Sequence, residues 1–211
     1  MSEQMQNPQE PQIPREPEAG QGKKPKKGWK AELIDWIKSI IWAVAVAIVV
    51  FNFLFIVIRV DGSSMASTLV SGERLFVTIL DVKLNGVARG DVVICHYPGR
   101  GRTYFVKRLV GLPGDQVERV GSETFVTYTD ENGETVRESL GVYIDSSGDY
   151  GPYTLGENEF FVAGDNRYVS HDSRDWNDSD PSNDVGPISG GMIVGRARYV
   201  VWPLNKAREV K

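Results

Sequence analysis

Between Lys38 and Arg59 the sequence carries no charged residue, and from Ile40 to Ile58 only the amide of Asn52 interrupts the apolar side chains. That run constrains the chain more than any other feature. A helix of roughly 20 apolar residues matches the hydrocarbon core of a bilayer, and strands rarely run this long. A transmembrane helix is therefore expected over residues 37–58. It is too long for a cleavable signal peptide, its preceding tail is too long, and no small-x-small site follows Ile58. The lysines ahead of it, Lys23, Lys24, Lys26, Lys27 and Lys30, place the N-terminal end in the cytoplasm and everything after Arg59 outside. The expected location is the cell membrane, crossed once. Trp36 and Trp42 suit the near interface, where Lys38 can snorkel.

Residues 1–36 read as a disordered basic cytoplasmic tail. The first 28 carry too few apolar side chains to offset chain entropy. Of the 211 residues, 59–211 remain for one extracytoplasmic domain. A net charge of -4 argues against a nucleic-acid partner. The single cysteine, Cys95, excludes an intrachain disulfide, and two histidines, His96 and His171, are too few for a zinc site. No metal or cofactor is expected.

The outer domain reads as mainly β, an antiparallel barrel or sandwich behind one N-terminal helix. Strands are expected over 75–84, 91–97, 104–110, 117–120, 124–129, 135–138, 159–163 and 193–202. Asn132-Gly133 marks a tight hairpin, and Gly111 to Asp115 a strong turn. Residues 116–158 form either an insertion off the main sheet or part of one continuous sheet. Cys95 fits a small apolar core position. Asp172 to Asp184 reads as a solvated acidic loop, because it lacks the Gly and closing Glu of a calcium loop. Trp202-Pro203 marks a strand end or a surface near the membrane, and Asn177-Asp178-Ser179 matches a glycosylation sequon.

Two features suggest chemistry. Ser64 lies in Gly62-Ser63-Ser64-Met65, four residues beyond the apolar run, between a small polar neighbour and an apolar one. Lys107 lies in Tyr104-Phe105-Val106-Lys107-Arg108-Leu109-Val110, where period-two alternation puts it between Phe105 and Leu109. It could be a snorkelling surface cation. As a general base it would have to be neutral near pH 7, about three units below the ordinary lysine value, which an apolar setting can supply. Arginine cannot serve, since it stays protonated.

Four stretches together resemble the bacterial type I signal peptidases, membrane-bound Ser/Lys endopeptidases that remove signal peptides from exported proteins. Gly62 to Leu69 resembles the family's G-x-S-M-x-P-T-L, and Gly90-Asp91-Val92-Val93 resembles its G-D-[IV]-V strand. Tyr104 to Asp115 is similar to the lysine-bearing box nearly throughout, and Gly164 to Arg174 resembles G-D-N-R-D-N-S-x-D-S-R. The resemblance implies Ser64 as nucleophile, Lys107 as general base and Ser170 as the hydroxyl that orients the lysine. It implies Asp165, Arg167, Asp172 and Arg174 as a supporting shell, and membrane-tethered preproteins and the bilayer as partners. The oxyanion would be held by the Ser64 backbone N–H with a second donor near Gly62 or Ser63. Ser67 stands where the family has Pro, and Tyr168-Val169 where it has Asp-Asn. The first change loosens the turn after the nucleophile, and the second removes polar groups beside the catalytic shell.

Three rivals compete. A Ser-His-Asp enzyme would need His171 and Asp172, which as sequence neighbours point apart, and no G-x-S-x-G elbow is present. The self-cleaving SOS repressors share Ser/Lys chemistry but carry a DNA-binding head. A catalytically impaired, membrane-tethered β domain that only binds partners is the third.

Overall fold

The computed structural model describes residues 28–142, 148–176 and 184–211. The tail expected to be disordered (apart from its end), part of the Ser146–Gly151 stretch and the sequon at 177–179 lie outside the described residues.

Helix α1 spans Trp29–Leu54, and its stretch Glu32–Phe51 is long and apolar enough to cross a membrane. None of that stretch is buried within the protein. The span expected at 37–58 is shifted, because the last apolar residues belong to strand β1, Phe55–Arg59. β1 pairs with β2, Arg74–Thr78, from Phe55↔Thr78 to Arg59↔Arg74. Ile56 and Ile58 pack on a core cluster built from Val60, Met65, Leu69, Leu75, Val77, Val92, Ile94, Ala197 and Val200. Apolarity alone does not separate bilayer helix from core strand, and here β-branched residues with a pairing partner take the strand.

The strand expected over 75–84 is likewise divided. β2 stops at Thr78, and Leu80–Asn85 forms the short helix α2. Asn85 donates to Asp81 one turn away (2.8 Å), and Gly86, at φ +70°, ends the helix.

The remaining strands are β3 Val92–Cys95, β4 Phe105–Gly111, β5 Gln116–Val120, β6 Glu123–Thr129, β7 Thr135–Val142, β8 Tyr150–Thr154, β9 Glu159–Ala163, β10 Ile188–Ser189, β11 Ile193–Trp202 and β12 Arg208–Glu209. They form two antiparallel sheets. The larger runs β1-β2-β11-β3-β4-β9-β10, with β12 on β11; the smaller runs β7-β6-β5-β8. The open question over residues 116–158 thus resolves as a separate sheet. The β6–β7 hairpin turns at Asn132-Gly133, with Gly133 at φ +84° and the Asp130 carboxylate accepting the Asn132 and Glu134 N–H groups.

The larger sheet is covered on both faces, and β3 shows this residue by residue. Val92 and Ile94 enter the cluster around Met65, whereas Val93 and Cys95 enter a second one with Tyr97, Leu109, Val162 and Ile188. A third cluster (Val110, Val117, Val126, Leu140, Leu155, Phe161, Ala163) joins the smaller sheet to β4 and β9. Cys95 is core, as expected, and burial pushes its thiol up to about 12.

The acidic stretch after residue 171 is not solvated where it is described. Asp172 is fully buried and Asp175 is 4% exposed. Each has a hydrogen-bonding partner, the Arg174 guanidinium for Asp172 and the His171 ring for Asp175, which a sequence pattern of acids does not reveal. Among the described residues no acidic or His/Cys cluster could hold a metal ion.

Candidate active site

Ser64 sits in a tight turn, immediately before the first of two core anchors. Met65 (2% exposed) and Leu69 (1%) insert into the first cluster, so the intervening chain has little freedom. The turn is closed by Ala66 N–H to Ser63 carbonyl (3.0 Å) and by Thr68 and Leu69 N–H to Met65 carbonyl (2.9 and 2.7 Å). Gly62, just before it, adopts φ +91°, a left-handed conformation that side-chain-bearing residues rarely take. Ser64 itself is half-buried, and Ser63 and Gly62 are exposed.

The segment 164–175 grips this turn from outside. The Asn166 N–H donates to the Ser64 carbonyl (2.9 Å), and its side-chain amide to the Ser63 carbonyl (3.1 Å). The Asp165 N–H points at the Met65 sulfur (3.5 Å). The Asp165 carboxylate accepts from the Thr68 hydroxyl and takes a two-pronged contact from Arg108, Nε to Oδ1 at 2.8 Å and Nη2 to Oδ2 at 2.7 Å. Burial alone would raise the Asp165 carboxyl, but the Arg108 and Thr68 hydrogen bonds outweigh it and hold the group below the usual aspartate value. Asn166, Thr68 and Arg108 were not singled out as site residues in the sequence. Each lies inside one of the four motifs, and their partners are remote in the chain.

Asp165→Asn is expected to lower stability by about 1–2 kcal/mol at neutral pH, since one arm of a partly hydrated charged pair is lost. The wild-type contribution is present above the ordinary aspartate pKa and fades as pH falls through the lowered one. The loss in Asp165→Asn should therefore shrink in acid, which denaturant melts at several pH values would show.

Lys107 lies on β4 between Phe105 and Leu109, as alternation predicts, and is 3% exposed. Burial drives its amine below the ordinary lysine value, with the Asp172 carboxylate pulling weakly in the other direction. The neighbouring cation, Arg108, faces the opposite way and finds Asp165. Ser64 and Lys107 line one pocket of about 240 Å³, together with Ile58, Val60, Met65, Tyr104, Phe105, Val106 and the charged Arg59 and Asp61.

Ser170 is fully buried, and its hydroxyl has no hydrogen-bond partner among the described residues. Gly164 explains how it fits. A Cβ at that position would lie 2.1 Å from the Ser170 hydroxyl oxygen and 2.5 Å from the Ser64 carbonyl oxygen. Gly164→Ala should therefore displace both serines, lowering cleavage by about 100-fold and stability by about 1–3 kcal/mol. Steady-state kinetics and a thermal melt of the same sample check this.

Asp172 and Arg174 form a two-pronged pair with no exposure, Nε to Oδ1 at 2.8 Å and Nη2 to Oδ2 at 2.9 Å. Asp172 Oδ2 also accepts the Gly164 N–H at 2.8 Å. Arg167 donates to the Leu140 carbonyl (3.1 Å) and stands behind the turn rather than at the pocket. His171 pairs with Asp175, not Asp172, and its Nε2 lies 3.4 Å from Arg100. It is not among the pocket residues, which disfavours a Ser-His-Asp site. The departures from the motif lie outside this shell. Ser67 is exposed, and Tyr168 and Val169 are 65% and 56% exposed.

A family model described as signal peptidase, peptidase S26, matches residues 33–202. Signal peptidase I P of Bacillus subtilis subsp. natto is 37% identical over 186 residues, covering 86% of this chain and 96% of that protein. Signal peptidase I T of Bacillus subtilis strain 168 is 36% identical, covering 84% and 90% respectively. Signal peptidase IB of Staphylococcus aureus strain Mu50 is 30% identical, covering 84% and 93%. A crystal structure of a signal peptidase I from Enterococcus faecalis V583 aligns with 52% of this chain and 95% of that one, at 23% identity and a TM-score of 0.33. Since the matched family spans most of the chain and the relatives align over nearly their full lengths, this chain belongs to the signal peptidase family, peptidase S26.

Proposed function

We propose that the chain is a membrane-anchored serine endopeptidase that removes signal peptides from exported proteins, with Ser64 as nucleophile and Lys107 as general base. The observation that carries this reading is the shared pocket, lined by a hydroxyl from the turn and by a desolvated amine from β4. Desolvation supplies what the chemistry requires, an amine that loses its proton far more readily than a surface lysine.

Neutral Lys107 takes the Ser64 proton as Oγ attacks the scissile carbonyl, and the new C–O bond gives a tetrahedral oxyanion. The Ser64 N–H and a donor near Gly62 or Ser63 hold that charge. Lys107 then protonates the departing amine, leaving an acyl-enzyme. The same amine deprotonates a water that hydrolyses the ester and restores Ser64. Ser170 offers Lys107 a buried hydroxyl with unused hydrogen-bonding capacity, which suits an orienting role. Asp165, Arg167, Asp172 and Arg174 support the segment that carries it.

The pocket is smaller than a typical ligand cavity, which suits small side chains on the substrate's acyl side. The N-terminal end, ahead of the apolar stretch, lies in the cytoplasm. The apolar helix holds the enzyme on the membrane where exported precursors are tethered, with the domain from Arg59 onward outside the cell.

The test is incubation of the intact chain in detergent with a model preprotein, followed by N-terminal sequencing of the product and mapping of a serine-reactive acylating probe. The expected results are one cut after a small residue and one adduct, on Ser64. An uncut precursor, or an adduct elsewhere, would remove the proposal.

A further inference from the structure

The smaller sheet contributes a buried arginine to the segment that seats the catalytic serine. Arg119, on β5, is 1% exposed, an unusual place for a guanidinium. Its side chain reaches across 55 and 57 sequence positions to backbone carbonyls, Nη1 to Arg174 at 3.3 Å and Nη2 to Trp176 at 3.2 Å. Nε donates to the Gly148 carbonyl at 2.7 Å, and the guanidinium stands 4.8 Å from the centre of the Tyr150 ring. Segment 171–176 has no strand or helix ladder of its own. Within it the Asp175 N–H serves the Asp172 carbonyl, but the Arg174 and Trp176 carbonyls take their donors from outside, and a planar fork with five N–H groups supplies both at once.

From those carbonyls a continuous set of contacts leads to the nucleophile. The Arg174 side chain clasps the Asp172 carboxylate and also donates to the Leu140 carbonyl of β7 at 3.2 Å. Asp172 holds the Gly164 N–H, and Gly164 fits against the Ser170 hydroxyl and the Ser64 carbonyl. The smaller sheet also grips Trp176 directly, through edge-on contacts with Tyr150 (5.1 Å) and Tyr153 (4.9 Å). The pocket itself contains no residue of the smaller sheet.

We propose that Arg119 is a positioning residue for the peptidase reaction, fixing segment 171–176 so that Asp172, Gly164 and Ser170 hold Ser64 and Lys107 in reacting geometry. This rests on the Ser/Lys reading above. Because reacting groups displaced by about 1 Å cost on the order of 100-fold, a positioning arginine should act on turnover rather than on substrate affinity.

The experiment uses the full chain in detergent, as wild type, Arg119→Met, Arg119→Lys and Ser64→Ala. It measures kcat and KM on a model preprotein, acylation of Ser64 by a small serine-reactive probe, and thermal unfolding. Arg119→Met is expected to lower kcat and the acylation rate by about 10- to 100-fold, with KM within about twofold of wild type. Arg119→Lys, which keeps the charge and some of the donors, should recover part of that loss. Wild-type kinetics in a folded Arg119→Met, kcat and KM changing together, or failure of both Arg119 variants to fold would each overturn the assignment. A wild type that never cuts the preprotein, or a Ser64→Ala that cuts it, would instead overturn the peptidase reading. The acylation rate in the Arg119 variants still tests the positioning role in the first case.

Discussion

Lys107→Met is expected to abolish cleavage, lowering kcat/KM by about 10³-fold or more, while leaving the fold intact and more stable at neutral pH. Activity falls because the buried amine proposed to take the Ser64 proton as the hydroxyl attacks is gone. Stability rises because the amine sits 3% exposed among Phe105, Leu109 and Cys95, where its charged form is poorly solvated. The sign follows from proton binding. The unfolded lysine titrates near 10.5 and the folded one lower, so between the two values only the unfolded chain holds the proton. Wild-type stability therefore climbs with pH across that window. Lys107→Met lacks the climb, and its advantage should narrow as pH approaches the ordinary lysine value. Wild-type cleavage should show an acid limb set by the same lowered pKa. Lys107→Arg should be as inactive as Lys107→Met, because a guanidinium keeps its proton. Denaturant melts and preprotein cleavage over a pH series measure both halves. If Lys107→Met retains more than a tenth of wild-type activity, or if His171→Ala is dead while Lys107→Met cleaves, Lys107 is not the base.

Ser64→Ala should be equally inactive, by about 10³-fold or more, for a different reason. It removes the hydroxyl proposed to form the acyl-enzyme and nothing that shapes the turn. The contacts that hold this residue use its backbone carbonyl and its neighbours Met65 and Leu69, so stability should stay within about 0.5 kcal/mol of wild type. Preprotein should still bind, and the acylating probe should find no target. A Ser64→Ala protein that cuts at the normal site would show that another nucleophile does the work.

Much of this site is legible in the sequence. The β4 alternation places Lys107 on an apolar face, and Ser64 stands out as a small polar residue beside an apolar Met just beyond the apolar run. That Met65 and Leu69 pin its turn to a core is visible only in the fold. Helix and strand divide the apolar run at Leu54, and alternation could not locate that point, because Phe, Ile and Val suit both lipid and a sheet interior. The division of 75–84 between β2 and α2 was hidden for a related reason: Leu80 and Leu84 fit a strand's apolar content as well as a helix's four-residue spacing. The burial of Asp172 and Asp175 is not legible in a run of acids, since their partners Arg174 and His171 are brought to them by folding and not by pattern.

The sequence by itself determined the long apolar N-terminal stretch, the mainly β domain, and the serine and lysine assigned to the proposed chemistry. These depend on local properties: apolar length, strand period and residue type. Only the tertiary structure decided that Arg108 belongs to Asp165 while Lys107 is left in apolar surroundings, and that Asn166 and Gly164 hold the nucleophile's carbonyl in place. It also decided that a separate sheet sends Arg119 beneath the segment behind them. Those contacts join residues up to about a hundred positions apart, and their strength comes from burial, which exists only once the chain has closed around them.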